Sequence, residues 1–102
     1  MNMQQMMKQA QKMQKQLADM QNKLGDIEVS ASAGGGMVKV YGTADQRITK
    51  IELDPEALNP EDAELLEDSI LAAVNDCMAS AQQVASQQMN ALTGGMNIPG
   101  LF

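Results

Sequence analysis

Hydrophobic positions in the first quarter of the chain recur every seven residues. Met3, Ala10, Leu17 and Leu24 form one series, and Met6, Met13 and Met20 form a second, offset by three. These are the a and d positions of a heptad repeat. Residues 3–24 contain no Gly, Pro or β-branched residue, and their Gln, Lys, Met and Ala favour helix, with Gly25 as the stop. At about 1.5 Å per residue this helix exceeds about 30 Å, more than a small domain covers with its own chain.

From Asp26 the period falls to two. Ile27, Val29, Ala31 and Ala33 alternate with Glu28, Ser30 and Ser32, the pattern of a half-buried strand. Gly34-Gly35-Gly36 makes a turn, Val38 and Val40 alternate with Met37, Lys39 and Tyr41 in a second strand, and GTADQ makes a second turn. Arg47 to Leu53 reads as a third strand, with Thr49, Ile51 and Leu53 on one face and Ile48, Lys50 and Glu52 on the other. Short links between strands predict an antiparallel meander.

Asp54-Pro55-Glu56 begins a short helical turn, with Asp as cap and Pro first. The signal repeats at Asn59-Pro60, followed by Glu61 and Asp62 near the positive end of a helix dipole. This second helix runs to about Leu92. Its seam is Leu66, Ile70, Ala73, Cys77, Val84 and Ala91, flanked by Val74, Met78, Ala81 and Ala85. Gly94-Gly95 ends it, and the apolar MNIPGLF follows as a tail. The expected fold is α+β, α-β-β-β-α: a three-stranded antiparallel meander flanked by two long helices. It forms a single domain over 1–102, with a basic helix at 1–25, the meander at 26–53, an acidic helix at 54–93 and a flexible tail at 94–102.

Composition sharpens this picture. Of the 102 residues only Tyr41 and Phe102 are aromatic, so the core must be assembled from many small pieces. A chain this short buries a modest share of its surface alone, which predicts that a second subunit completes it. The lone Cys77 fits a reducing cytoplasm. The N-terminal stretch lacks the apolar core of a signal peptide, and no apolar run nears the roughly 20 residues needed to cross a bilayer.

Residues 1–24 carry four lysines against Asp19 alone, 4 − 1 = +3. Residues 25–53 carry Lys39, Arg47 and Lys50 against four acids, 3 − 4 = −1, and residues 54–102 carry eight acids and no Lys or Arg, −8. The sum is the formal net charge of −6.

Candidate chemistry is sparse. There is no His, the commonest general base and neutral metal ligand. Cys77 lies on an apolar seam with no His to activate it and reads as a small buried hydrophobe. The glycine triplet joins two strands rather than a strand and a helix, so it is a hairpin and not a phosphate cradle. The acids between Asp54 and Asp68 do not follow a calcium-loop spacing and read as caps and solvated charge. An enzyme, a cofactor and a metal are therefore not expected.

What stands out is Lys8, Lys12 and Lys15. They are spaced four and three apart with no acid between them, and form one ridge at heptad positions c and f, away from the apolar seam. Charge separated in this way attracts a polyanion at one end of a molecule and repels it at the other.

The segments MKQAQKMQKQLADMQNKL, EVSASAGGGMVKV, ITKIELDPEAL, LLEDSILAAVND and GGMNIPGLF, in this order, resemble the YbaB/EbfC family of bacterial nucleoid-associated proteins. The resemblance spans nearly the whole chain. It implies an obligate homodimer whose sheets join and whose helices project as paired arms. It also implies binding of double-stranded DNA with little sequence preference, in the cytoplasm and at the nucleoid. Residues 59–92 carry no Lys or Arg, so the DNA-binding residues expected here are Lys8, Lys12, Lys15 and Lys23, with Lys39, Arg47 and Lys50 as helpers from the sheet. The dimer interface is expected at Leu17, Met20, Leu24, Val38, Val40 and Ile51. The alternative is a protein-interaction adaptor that docks a partner through the Met-rich first helix or the C-terminal tail. A membrane partner is not expected, because the first helix lacks the Trp and Phe that surface-lying helices favour.

Overall fold

The computed structural model of the chain describes residues 2–93. The first helix, α1, spans Met3–Leu24, with the Asn2 side chain capping it by accepting the Gln5 N–H at 2.9 Å. Three strands follow, β1 (Glu28–Ala33), β2 (Val38–Thr43) and β3 (Arg47–Leu53), paired antiparallel in the order β1-β2-β3. Two turns of 3-10 helix, Pro55–Ala57 and Pro60–Asp62, lead into α2, Ala63–Thr93. Each turn is capped as the Asp-Pro and Asn-Pro signals predict. Asp54 accepts the Glu56 N–H and Asn59 accepts the Glu61 N–H. The Gly94-Gly95 stop and the tail at 94–102 lie outside the described residues.

The core is the contact between one face of the sheet and α2. Val29, Val38 and Val40 meet Ala73, Cys77 and Ala81, with Leu66, Ile70, Val74 and Val84 of α2 packed around them. Small side chains at i, i+4 and i+8 let the helix approach the valines closely, and Val38, Val40 and Cys77 are fully buried. Each fully buried valine contributes about 1.5–3 kcal/mol relative to exposure. The Cys77 thiol lies 3.9 Å from the Val29 carbonyl oxygen as a weak donor. Burial pushes the thiol pKa up, which is the inert end of cysteine chemistry.

The third strand departs from simple alternation. Gly42 pairs with Ile48 while Tyr41 pairs with Lys50, so a bulge leaves Thr49 without a partner. The extra residue turns Ile48 to the core face and Thr49 to solvent, the reverse of the alternation expected from sequence. Gly42 explains the site. A Cβ there would stand 2.5 Å from the Arg47 carbonyl oxygen and 3.4 Å from the Cys77 Sγ. Gly42 and Thr43 belong to β2, and the turn proper is Ala44-Asp45-Gln46, with Gln46 at φ 66°.

Two other glycine expectations resolve differently. Gly34, Gly35 and Gly36 all take positive φ, as the hairpin requires. Gly25 ends α1 without entering the left-handed region, at φ −66°. A Cβ on Gly25 would sit 3.3 Å from the Asp45 side chain, so its smallness admits the β2–β3 turn against the helix end.

The two ends of the sheet are thereby distinguished. The end bearing Asp45 receives the last turn of α1. The end bearing the glycine triplet receives the start of α2, where Ser69 stands against Gly34. The whole is elongated, 69 × 24 × 17 Å, with a radius of gyration of 19.6 Å, against about 13 Å for a compact chain of this size.

Replacing Gly42 by Ala should lower stability in urea unfolding by about 1–3 kcal/mol through overpacking. Gly35→Ala, with nothing within 4 Å of its Cβ but φ +68°, should cost about 1–2 kcal/mol from the backbone alone. A neutral Gly42→Ala would refute the bulge geometry.

Candidate nucleic-acid interface

Lys8, Lys12 and Lys15 stand on α1 well before its only buried residues, Met20 and Leu24. All three are exposed, and among the described residues the one ion pair is Lys50 with Glu52, so none of the three is neutralised by a neighbour. Three- and four-residue spacing aligns them along about 10 Å of helix. The apolar stripe on the other side of α1 is exposed too: Met3 is 79% exposed, Met13 53% and Leu17 42%. Thus α1 from Met3 to Lys15 is an arm with a cationic side and an apolar side, both exposed within the chain.

Lys23 belongs to a different setting. With Gln16, Asp19 and Met20 it lines a groove whose other wall is Gln88 and Ala91 of α2. Here the last turns of α2 lie beside α1 from Gln16 to Lys23. Asp19 stands four residues from both Lys15 and Lys23 and so interrupts the ridge between them, a break not drawn from the spacing of the lysines alone.

The sheet cations are dispersed. Lys50 Nζ lies 2.7 Å from Glu52 Oε1 and 5.8 Å from the centre of the Tyr41 ring. The Tyr41 hydroxyl donates to Glu52 Oε2 at 3.2 Å. The hydrogen bond from Lys50, then that from Tyr41, holds the Glu52 carboxyl below its ordinary pKa. The same contacts with Glu52 raise the pKa values of Lys50 and Tyr41. Lys50 is thus already engaged. Arg47 lines a hollow by the end of α1 with Asp26 and Asp45, whereas Lys39 lines one at the other end of the sheet with Glu52 and Asp54. The structure therefore gathers Lys8, Lys12 and Lys15 on one arm and leaves Lys39, Arg47 and Lys50 apart, each near acids.

Of the expected interface residues, Val38 and Val40 are fully buried under α2 of the same chain and offer no surface to a partner. That part of the expectation is corrected: α2 alone covers the sheet's central strand. Met20 and Leu24 are also buried within the chain, while Leu17 and Ile51, the latter 46% exposed, remain open.

The model of the YbaB/EbfC DNA-binding family matches residues 1–96. The chain belongs to that family. Relatives described as nucleoid-associated proteins are 50% identical in Alkaliphilus metalliredigens, over 99% of this chain and 89% of that protein, and 52% identical in Pelotomaculum thermopropionicum, over 99% and 96%. One from Staphylococcus carnosus is 53% identical over 98% and 95%. An uncharacterized protein of Helicobacter pylori has the same fold in its crystal structure, with a TM-score of 0.74 at 23% identity, covering 94% of this chain and 97% of that one. The YbaB/EbfC pattern thus extends over the arm, the sheet and α2 together. Among the described residues no helix is long and apolar enough to cross a membrane.

Tyr41 is the only tyrosine, so its ionisation can be read directly by ultraviolet titration. It should ionise above the ordinary tyrosine pKa in the native protein, and Glu52→Gln should bring it back towards that value. An unshifted Tyr41 in the parent protein would mean that Glu52 does not hold Tyr41 and Lys50 together.

Proposed function

We propose that this protein is a non-enzymatic, nucleoid-associated protein that grips duplex DNA as a symmetric homodimer. Lys8, Lys12 and Lys15 of each α1 arm contact phosphates, and Lys23 extends the contact towards the base of the arm. The observation that carries this reading is the cationic side of an uncovered arm, in a chain that belongs to a DNA-binding family. The ridge runs for about 10 Å, comparable with three steps of about 3.4 Å along the axis of a duplex. Phosphate contacts of this kind fix position without reading sequence. The scarcity of aromatic residues disfavours base stacking on single strands. Nucleoid association accords with the names of the relatives, and the compartment proposed with it is the cytoplasm.

Dimerisation is supported by apolar surface that one chain leaves open. Ile51 lies on the core face of β3, whose outer edge pairs with no strand among the described residues. Leu17 and Met13 continue the uncovered stripe on α1. A two-fold axis duplicates each lysine ridge and places two arms on one duplex.

If about six to eight lysines per dimer contact phosphate, a plot of log K against log[salt] should have a slope of about −5 to −7. Lys12→Glu with Lys15→Glu removes four of those contacts per dimer. It should flatten the slope by about 3–4 and weaken binding more than about tenfold at moderate salt, with sedimentation and thermal melting unchanged. Retention of full affinity by this variant would remove the ridge as the site. Ile51→Lys should shift the free protein towards monomer in sedimentation, and an unchanged dimer would move the interface elsewhere.

A further inference from the structure

The start of α2 carries a leucine that the core does not use. Leu65 is 65% exposed, although its neighbour Leu66 packs against the core. Leu65 helps to line a groove of about 190 Å³ together with Met37, Leu66 and Ala57, and Glu56 and Asp62 also stand in its wall. Its apolar lining suits a flexible, unbranched side chain such as Met, and its carboxylates favour a cationic neighbour. The opposite chemistry stands on α1, where Met3 and Met7 are exposed beside Lys8. The two surfaces cannot meet within one chain. The groove lies at the glycine-triplet end of the sheet, whereas α1 leaves from the Asp45 end of a molecule 69 Å long.

We propose that this groove receives the α1 tip of a second copy, with methionine in the apolar slot and Lys8 facing Glu56 and Asp62. This is a helix-in-groove contact between two different surfaces, a head-to-tail arrangement that builds a ring or an open chain of copies according to the rotation between them. Because it uses Lys8 and the arm, it competes with any polyanion that the arm binds. That last consequence rests on the proposed DNA reading, but the self-association does not.

Sedimentation velocity on the full chain at tens of micromolar protein provides the test, at low and at high salt. The expected result is assembly beyond the basic unit at low salt, reversed by salt. Leu65→Glu should lose it, and so should Glu56→Lys with Asp62→Lys. All of these positions are outside the buried core, and circular dichroism checks that each variant is folded. Leu65→Glu should still shift duplex DNA as well as the parent protein does, and added duplex should dissolve the parent's assemblies. The proposal is overturned if the parent shows no salt-sensitive assembly, or if both groove variants assemble as it does. Normal gel shifts without assembly would sink the docking and leave the DNA reading intact. Assembly with no gel shift would do the reverse.

Discussion

The contact between α2 and the sheet determines what is left for everything else. A three-stranded sheet has one face to bury, and a single amphipathic helix is enough to bury most of it. Here that helix is α2, held close by Ala73, Cys77 and Ala81 against Val29, Val38 and Val40. Once α2 occupies that face, α1 has only its last turns to pack, at Met20 and Leu24. The preceding part of the helix becomes surplus to the core. Its projection follows from how completely the other helix covers the sheet, without any special device in α1 itself.

This division of labour explains which features could be read from the chain and which could not. Periods of seven and two, and the Asp-Pro and Asn-Pro caps, are local signals, and they locate the helices, strands and turns closely. Partnership is not local. The heptad series on α1 is real, yet it does not reveal that only its last members are covered within the chain. Val38 and Val40 alternate in the way that any half-buried strand does, so a helix of their own chain and a second subunit predict the same pattern. The bulge is harder still. Nothing in ITKIEL marks Thr49 as the residue without a partner, because the cause lies across the strand pair, in the close approach of Gly42 to Arg47.

The lysines divide in a similar way. Spacing alone places Lys8, Lys12 and Lys15 on one ridge, and they remain together in three dimensions. The engagement of Lys50 by Glu52 and Tyr41 arises because a same-face neighbour two residues on and a cross-strand neighbour converge. Only the strand register brings that triad together. Lys39 and Arg47, close in sequence, are separated because β2 and β3 carry them to opposite ends of the sheet.

The acidic body and the basic arm are therefore best understood as one arrangement. A net charge of −6 would repel a polyanion if it were spread evenly. It is not spread evenly. The seven acids between Asp54 and Asp68 stand at the sheet end from which α2 starts, and the lysine ridge projects from the other end of a 69 Å molecule. Exposed charges are screened over about 8 Å at physiological salt, so the ridge scarcely feels those acids. A polyanion approaching end-on meets the arm first and is turned away from the body. Lengthening the molecule does electrostatic work that adding lysines to a compact acidic domain could not do, and the surplus helix supplies that length.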